Sequence, residues 1–165
     1  MKKIEIFGEN YFGEYHSIRV ASRAVIVKDG QILLSYERNN NTWMIPGGGL
    51  EGNENDKECC IREVREETGY IVDPQDCFLE IDEYYEDCLY VSRYFCARII
   101  GRSDKSLTKQ EMRNGMEERW LSLNEIMDIF SRHQDYKDAD EMKRGMYLRE
   151  YSALCEYMKM VTDQM

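Results

Sequence analysis

Residues 48–70, GGLEGNENDKECCIREVREETGY, contain three glutamates within five positions, Glu63, Glu66 and Glu67. A glycine-rich loop precedes these glutamates and Gly69 follows them. Carboxylates at helical spacing repel one another, so their grouping is favourable if a cation lies among them. Hard oxygen ligands select Mg²⁺ or Mn²⁺ over zinc or copper. The stretch therefore predicts a divalent metal site, although the same glutamates taken alone would also fit a solvated acidic helix face.

The segment between the glycine loop and Gly69 is expected to form a helix. Asn53 or Asn55 caps its N-terminus, and Gly69 fits the left-handed residue that ends many helices. Glu63 and Glu67 would then lie one turn apart, and we expect all three glutamates to project from one edge, away from the core. The positions predicted to face the core are Cys60, Ile61, Val64 and Thr68.

The rest of the chain alternates between β-branched segments and polar turns. Strands are predicted at 3–7, 18–29, 31–37, 43–45, 77–85, 89–100 and 117–121, with a loop at 101–116. Ser122 and Glu125 form a capping box for a helix that runs to about residue 131, and a final helix spans about 139–161. Strands joined in hairpins favour a mixed sheet between helices. The predicted fold class is α/β (α+β), with a mixed β-sheet and an extra C-terminal helix.

The length of 165 residues suits one domain, in which residues 1–17 form a strand or arm. The 22 basic and 32 acidic residues give a net charge of −10, which argues against broad binding to nucleic acid backbones. No apolar run reaches the roughly 18 residues that cross a membrane, and the N-terminus lacks the apolar core of a signal peptide. We therefore expect a cytoplasmic protein with no membrane partner. Its six cysteines are expected to be free thiols.

Residues 48–70 resemble the Nudix box, which is the signature of hydrolases that act on a nucleoside diphosphate linked to another moiety. They match it at every fixed polar and glycine position: Gly48-x5-Glu54-x7-Arg62-Glu63-Val64-x-Glu66-Glu67-x-Gly69-Tyr70. Asn53 departs from the glycine that members often carry there. Residues 43–48 and 120–123 agree more loosely with the family, so the resemblance covers roughly residues 18–131. It implies the Nudix α/β/α sandwich.

The resemblance also implies roles for the box residues. Glu63 and Glu67 would be the main ligands of Mg²⁺, or of Mn²⁺, and Glu66 a further or water-mediated ligand. A backbone carbonyl of Gly47 or Gly48 would join them. The metal would bridge the diphosphate and acidify a water that attacks one phosphorus. Two residues outside the ligand set, Arg62 and Glu54, would orient the carboxylates.

The proton acceptor for this water varies within the family. Glu66 and Glu67 are candidates, as are three glutamates before Trp120, namely Glu111, Glu117 and Glu118. We count Glu118 with Glu66, Glu67 and Arg62 as candidate catalytic residues, while each late glutamate could equally be a solvated loop carboxylate.

Substrate recognition lies outside the box. Arg23 and Arg38 are candidates to contact a phosphate, and Gly47 to approach the substrate closely. One or two aromatic residues of the hairpin 77–100 could stack on a ring; Tyr84 is the selected candidate, and the others are Tyr85, Tyr90, Tyr94 and Phe95. The expected substrate is a small nucleotide with a diphosphate linkage, such as a nucleoside triphosphate. The alternatives are a catalytically silent Nudix module that senses a nucleotide and an isomerase of prenyl diphosphates. Residues 1–17 and the aromatic stripe of the final helix are the two candidate surfaces for a homodimer.

Overall fold

The computed structural model describes residues 1–163, which form eight strands, four α-helices and one short 3-10 helix. The strands are β1 (Lys2–Phe7), β2 (Ser17–Lys28), β3 (Gln31–Glu37), β4 (Thr42–Met44), β5 (Gly47–Gly49), β6 (Tyr70–Tyr85), β7 (Cys88–Arg102) and β8 (Met116–Ser122). The helices are α1 (Asp56–Thr68), α2 (Lys109–Asn114), α3 (Leu123–Ser131), the 3-10 helix Arg132–Tyr136 and α4 (Glu141–Asp163). None of these helices has both the length and the apolar character to span a membrane.

The strands form one mixed sheet in the order β1-β6-β7-β2-β3-β4, while β5 pairs with β2 and β8 with β3. The β1–β6 and β2–β7 pairs are parallel, and the others are antiparallel. Asp29 and Gly30 both have positive φ, as the predicted two-residue hairpin turn requires. The prediction of a mixed sheet is confirmed.

Helices cover both faces of the sheet, as the alternation of side chains along β2 shows. Ala24 and Ile26 pack in a cluster with Cys60 and Val64 of α1. Val25 points to the other face, where the cluster includes Ile126 and Phe130 of α3 and Tyr147 and Leu154 of α4. Because successive strand residues face opposite sides, one strand contributes to two cores. The α/β/α sandwich expected from the sequence is therefore confirmed.

The C-terminal helix also covers the free edge of β4. The amide of Trp43 donates to Tyr147 Oη at 3.1 Å, and the amide of Ile45 donates to Glu150 Oε2 at 3.0 Å. Lys143 Nζ donates to the carbonyl of Asn41 at 2.9 Å. Two side-chain acceptors on α4 thus satisfy amides that a neighbouring strand would otherwise bind. Three members of the predicted stripe, Tyr147, Tyr151 and Leu154, pack in or against the core on this face of the sheet. The other two, Met158 and Val161, stay exposed.

Two expectations need correction. Residues 101–116 are not wholly a loop, because they contain α2, whose capping box joins Thr108 and Glu111. A helix of six residues is too short for its hydrophobic period to be recognised. Strand β6 begins at Tyr70 rather than 77 and passes through register shifts near Pro74. Residues 1–17 contain β1, which pairs with β6 as an edge strand.

Candidate active site

Both ends of α1 are fixed by local hydrogen bonds. The Asn55 side chain accepts from the amide of Glu58 at 3.0 Å, and the Glu58 carboxylate accepts from the amide of Asn55 at 2.8 Å. Gly69 has φ 78 in the left-handed region, and its amide donates to the carbonyl of Arg65. These caps identify Asn55, not Asn53, as the N-cap. They also fix the rotation of the helix, and with it the directions of the three box glutamates.

Arg62 lies at the centre of the carboxylates. Its Nε and Nη2 bind the two oxygens of Glu54 at 3.0 and 2.6 Å, which is the bidentate geometry of strong pairs. Its Nη1 donates to Glu63 at 2.8 Å and to Glu66 at 3.2 Å, and its Nη2 also donates to the Gly49 carbonyl at 2.9 Å. The guanidinium lowers the pKa of Glu54 to about 2. Arg62 therefore has the contacts of an orienting residue.

Glu67 lies in a different environment from the other two glutamates. It is only 4% exposed, and its Oε2 accepts from Ser35 Oγ at 2.7 Å and from the Gly47 amide at 3.4 Å. No lysine or arginine within residues 1–163 forms an ion pair with it. Burial, with a contribution from the charge of Glu63, raises the pKa of Glu67 to about 8. The expectation that all three glutamates project together away from the core is therefore wrong for Glu67, because α1 turns it towards Ser35 of β3.

The glycine loop passes directly over α1. A Cβ at Gly48 would lie 2.5 Å from the carboxylate carbon of Glu63, so only glycine permits this approach. Gly47 has φ 152, and a Cβ there would lie 2.2 Å from the Ser22 carbonyl oxygen. Pairing of β5 with β2 sets this position, with Gly48 opposite Ser22. The loop backbone and the Glu63 carboxylate are therefore held side by side.

The oxygens gathered here fit a hard divalent cation. Burial also raises the pKa of Glu63, and a buried carboxylate without a cationic partner, such as Glu67, is costly unless a positive charge joins it. Within residues 1–163 no three His, Cys, Asp or Glu side chains are close enough together to bind one metal ion. Arg62 binds Glu63 and Glu66 instead, and Ser35 binds Glu67. The donor chemistry suits Mg²⁺ or Mn²⁺.

A cleft of about 490 Å³ begins at this edge and extends between β6 and α4. Three predicted site residues line it, Arg23, Gly47 and Glu67. Arg23 makes one hydrogen bond, from Nη1 to the Ile45 carbonyl at 3.4 Å, and its buried Nε has no partner within residues 1–163. Glu111 lines the same cleft, and its charge contributes to the raised pKa values of Glu63 and Glu67.

Seven predicted residues do not line the cleft. Four of them belong to the carboxylate group and glycine loop beside it, namely Arg62, Glu63, Glu66 and Gly48, and the other three make contacts elsewhere. Tyr84 faces the opposite side of β6, where its ring stacks on Phe7 at 4.6 Å and its hydroxyl donates to Glu5 at 3.0 Å. Glu118 pairs with Lys105 at 2.6 Å. The backbone amide of Arg38 donates to the Gly115 carbonyl. Adjacent strand residues alternate between faces, so the neighbours of Tyr84 line the cleft in its place.

Several further residues line the cleft. Tyr85 on β6 and Tyr90 on β7 lie there and were among the hairpin aromatics expected to include a stacking residue, whereas the sequence did not single out Glu83 on β6 or Arg149 and Met146 on α4. Because successive residues of a strand face opposite sides, the sequence predicts that Tyr84 and Tyr85 lie on different faces of β6. Which of the two faces forms the cleft depends on where α4 packs, and the sequence of β6 does not show this. No local motif marks the α4 residues.

The sequence is similar to that of known proteins. Residues 18–144 match the NUDIX domain family. An uncharacterized Nudix hydrolase of Bacillus subtilis is 40% identical over 128 residues, which cover 77% of this chain and 80% of that one. An mRNA-decapping enzyme subunit 2 of Saccharomyces cerevisiae is 30% identical over 118 residues, covering 70% of this chain but only 12% of the yeast protein.

A solved structure of similar fold is a NUDIX hydrolase from Nitrosomonas europaea, with a TM-score of 0.59 at 23% identity over 83% of this chain and 90% of that one. This likeness supports the fold. The family match covers most of the chain, including the whole glycine loop, α1 and the cleft residues of β2 and β6. The chain therefore belongs to the NUDIX domain family.

Proposed function

We propose that the protein is a Mg²⁺-dependent hydrolase that cleaves the diphosphate linkage of a nucleoside diphosphate joined to another moiety. The observation that carries the proposal is the environment of Glu67, a buried carboxylate with no ion pair within residues 1–163. It lies at the end of a cleft of about 490 Å³, beside the glycine loop. A divalent cation would supply the charge that this carboxylate lacks, and Mn²⁺ has the same ligand preference.

The residues around the cation site have separate tasks in this proposal. Ser35 and Arg62 hold the carboxylates in place through the hydrogen bonds described above. Arg23 lines the cleft, and its buried Nε has no partner within residues 1–163; in this proposal its guanidinium binds a phosphate oxygen of the substrate. A bound Mg²⁺ would neutralise the diphosphate and acidify a water. Glu63, Glu66 and Glu67, with the Gly48 carbonyl, would hold this ion.

The proton acceptor of the attacking water is proposed among the glutamates in and beside the cleft. Glu111 is the late glutamate that faces the cleft, whereas Glu118 is paired with Lys105. We therefore propose Glu111 ahead of Glu118, with Glu66 and Glu67 as alternatives on α1. Replacing Glu111 by Gln is expected to lower kcat about a hundredfold, as for other general bases, and Glu118→Gln to lower it less than tenfold. Equal losses in the two variants would contradict this order.

The substrate is proposed to be a small nucleotide, such as a nucleoside triphosphate. The cleft volume lies within the range of small-ligand sites, and its wall combines aromatic, methionine and arginine side chains. A catalytically silent module that only senses a nucleotide is the alternative. Such a module has no need of the full set of three box glutamates, and all three are present here.

The test is a panel of nucleoside diphosphate derivatives incubated with the protein and Mg²⁺, with release of phosphate-containing products followed over time. Glu63→Gln and Glu67→Gln are each expected to lower turnover at least about a hundredfold, or about 2.7 kcal/mol. Glu14→Gln, at an exposed glutamate, is the matched control and should leave turnover unchanged. Near-wild-type rates in both box variants would refute the assignment, and tight nucleotide binding without turnover would favour the sensor.

Pairing of two copies, through residues 1–17 or the exposed end of α4, stays a prediction. Light scattering on a size-exclusion column would measure the mass of the particle, and a mass of about 20 kDa at micromolar concentration would contradict a homodimer; the chain itself is 19.7 kDa.

A further inference from the structure

The far end of the cleft is built from parts of the chain that lie outside the Nudix box. The β6–β7 hairpin contributes Tyr85, Glu86 and Tyr90, and α4 contributes Met142 and Met146. The box fixes where the diphosphate would lie, so this end would receive the moiety attached to it. Its chemistry therefore bears on which substrates are accepted.

Tyr85 is fixed in place by two glycines. A Cβ at Gly8 would lie 2.2 Å from Tyr85 Cδ1, and a Cβ at Gly145 of α4 would lie 2.0 Å from Tyr85 Oη. Any larger residue at either position would displace the ring. Tyr90 stands edge-on to it, with the ring centroids 6.3 Å apart. The tyrosine ring is thus a preformed surface that needs little ordering when a ligand stacks on it.

Methionine side chains form much of the remaining wall. Met44, Met116, Met142 and Met146 all line the cleft. Their thioethers are polarizable and adapt to flat aromatic groups. An aromatic ring between Tyr85 and the two methionines of α4, Met142 and Met146, would be covered by apolar atoms, as the bases of nucleotides are in protein sites.

The charges that line the cleft disfavour a second anionic group. Six glutamates and two arginines of the described chain line the cleft. Arg149 is already paired with Glu150 at 2.6 Å and Glu83 at 3.4 Å, whereas Arg23 forms no ion pair within residues 1–163 and its buried Nε has no partner there. Glu86, beside Tyr85, has no side-chain partner within residues 1–163. An ionised carboxylate only accepts hydrogen bonds, so this end favours groups that donate them.

We infer that the cleft binds an uncharged aromatic base that carries an exocyclic amino group, stacked on Tyr85 with Glu86 accepting from the amino group. This inference rests on the proposed function, because it places the diphosphate at the box. Adenine, guanine and cytosine nucleotides have such an amino group, whereas the edge of uracil presents two acceptors and one donor. Uridine nucleotides are therefore the disfavoured members of the class.

The experiment compares kcat/KM of the full-length protein for adenosine, guanosine, cytidine and uridine triphosphates and for methyl triphosphate, which has no base. Tyr85→Leu is expected to lower kcat/KM for the best nucleotide about tenfold or more through KM, as loss of one stacking contact does, and to leave methyl triphosphate unchanged. Tyr85→Phe keeps the ring and should retain the wild-type value. Tyr15→Leu, at an exposed tyrosine outside the cleft, is the matched control.

Two further variants complete the test. Tyr90→Leu gives a second result in case Tyr85→Leu does not fold, and Glu86→Gln tests the hydrogen bond to the amino group of the base. Tyr90→Leu, at a tyrosine that is 37% exposed, should weaken nucleotides in the same direction but by a smaller factor. Glu86→Gln should reduce the preference for amino-bearing bases over uracil at least about threefold, because an amide presents a donor as well as an acceptor.

The outcomes separate this inference from the proposed hydrolysis. Equal losses of Tyr85→Leu on nucleotides and on methyl triphosphate, or a wild-type preference for uridine triphosphate, would overturn it while hydrolysis stands. If wild-type protein hydrolyses none of the triphosphates, the proposed triphosphate substrate is wrong, and the panel of nucleoside diphosphate derivatives decides the proposed function. Calorimetric binding of a methylene-bridged adenosine triphosphate analogue to wild type and to Tyr85→Leu then decides the inference. Weaker binding by the variant supports the stacking site, and equal binding, or none to either protein, overturns it.

Discussion

Replacement of Glu150 by alanine is expected to destabilise the protein strongly, because this carboxylate is fully buried and satisfies several donors. It accepts from the amide of Ile45 at 3.0 Å, from Tyr94 Oη at 3.2 Å and from Arg149 Nε at 2.7 Å. Without it, the buried guanidinium keeps only Glu83, at 3.4 Å. Breaking a buried ion pair costs about 3–5 kcal/mol, which is a large part of the stability of an ordinary domain.

The assay is urea denaturation followed by tryptophan fluorescence, with the free energy of unfolding extrapolated to water. Glu150→Gln keeps a carbonyl oxygen for the Ile45 amide and should lose less than Glu150→Ala. Asp128→Ala removes an exposed carboxylate, paired with Arg132 on the surface, and should cost under about 1 kcal/mol. A loss in Glu150→Ala no larger than in Asp128→Ala would refute the view that this carboxylate joins α4 to the strand before the glycine loop.

Three further outcomes are expected. Gly145→Ala should lower the melting temperature despite the better helix propensity of alanine, worth roughly 1 kcal/mol, because its methyl would meet Tyr85 Oη; a higher melting temperature would contradict this packing. Asn55→Ala should cost about 1 kcal/mol in urea denaturation through loss of the N-cap, and no change would show that the capping box contributes nothing. Mg²⁺ at about 100 times its dissociation constant should stabilise the protein by about 2.7 kcal/mol. A thermal shift assay should detect this in wild type but not in Glu67→Gln, and an equal shift in both would place the ion elsewhere.

The sequence predicted α1 well because the information that defines it is local. Caps, a glycine stop and the hydrophobic period all lie within about 15 residues, and Asn55, one of the two expected caps, and Gly69 take the expected roles. The burial of Glu67 could not be predicted in this way. It depends on Ser35, 32 residues away in sequence, and therefore on how the sheet places β3 beside the helix.

The prediction of Tyr84 failed for a related reason. Tyr84 and Tyr85 are adjacent, so one of them must face each side of β6, and both sides are covered. β1 packs Phe7 on Tyr84, while α4 closes over Tyr85. The cleft forms on the side where α4 packs, and Gly145 of this helix lies 60 residues after Tyr85 in the chain. The local sequence of β6 therefore cannot predict which side that is.

The hydrogen bonds from β4 to α4 have a consequence for where the protein can be shortened. The family match ends at residue 144, and a protein ended there would lack both Tyr147 and Glu150. The amides of Trp43 and Ile45 would then lie on an open strand edge, next to apolar surface that α4 normally covers. Such edges recruit strands from other molecules. We expect the shortened protein to sediment as aggregates, whereas a soluble monomer after this truncation would show that the edge is protected by other means.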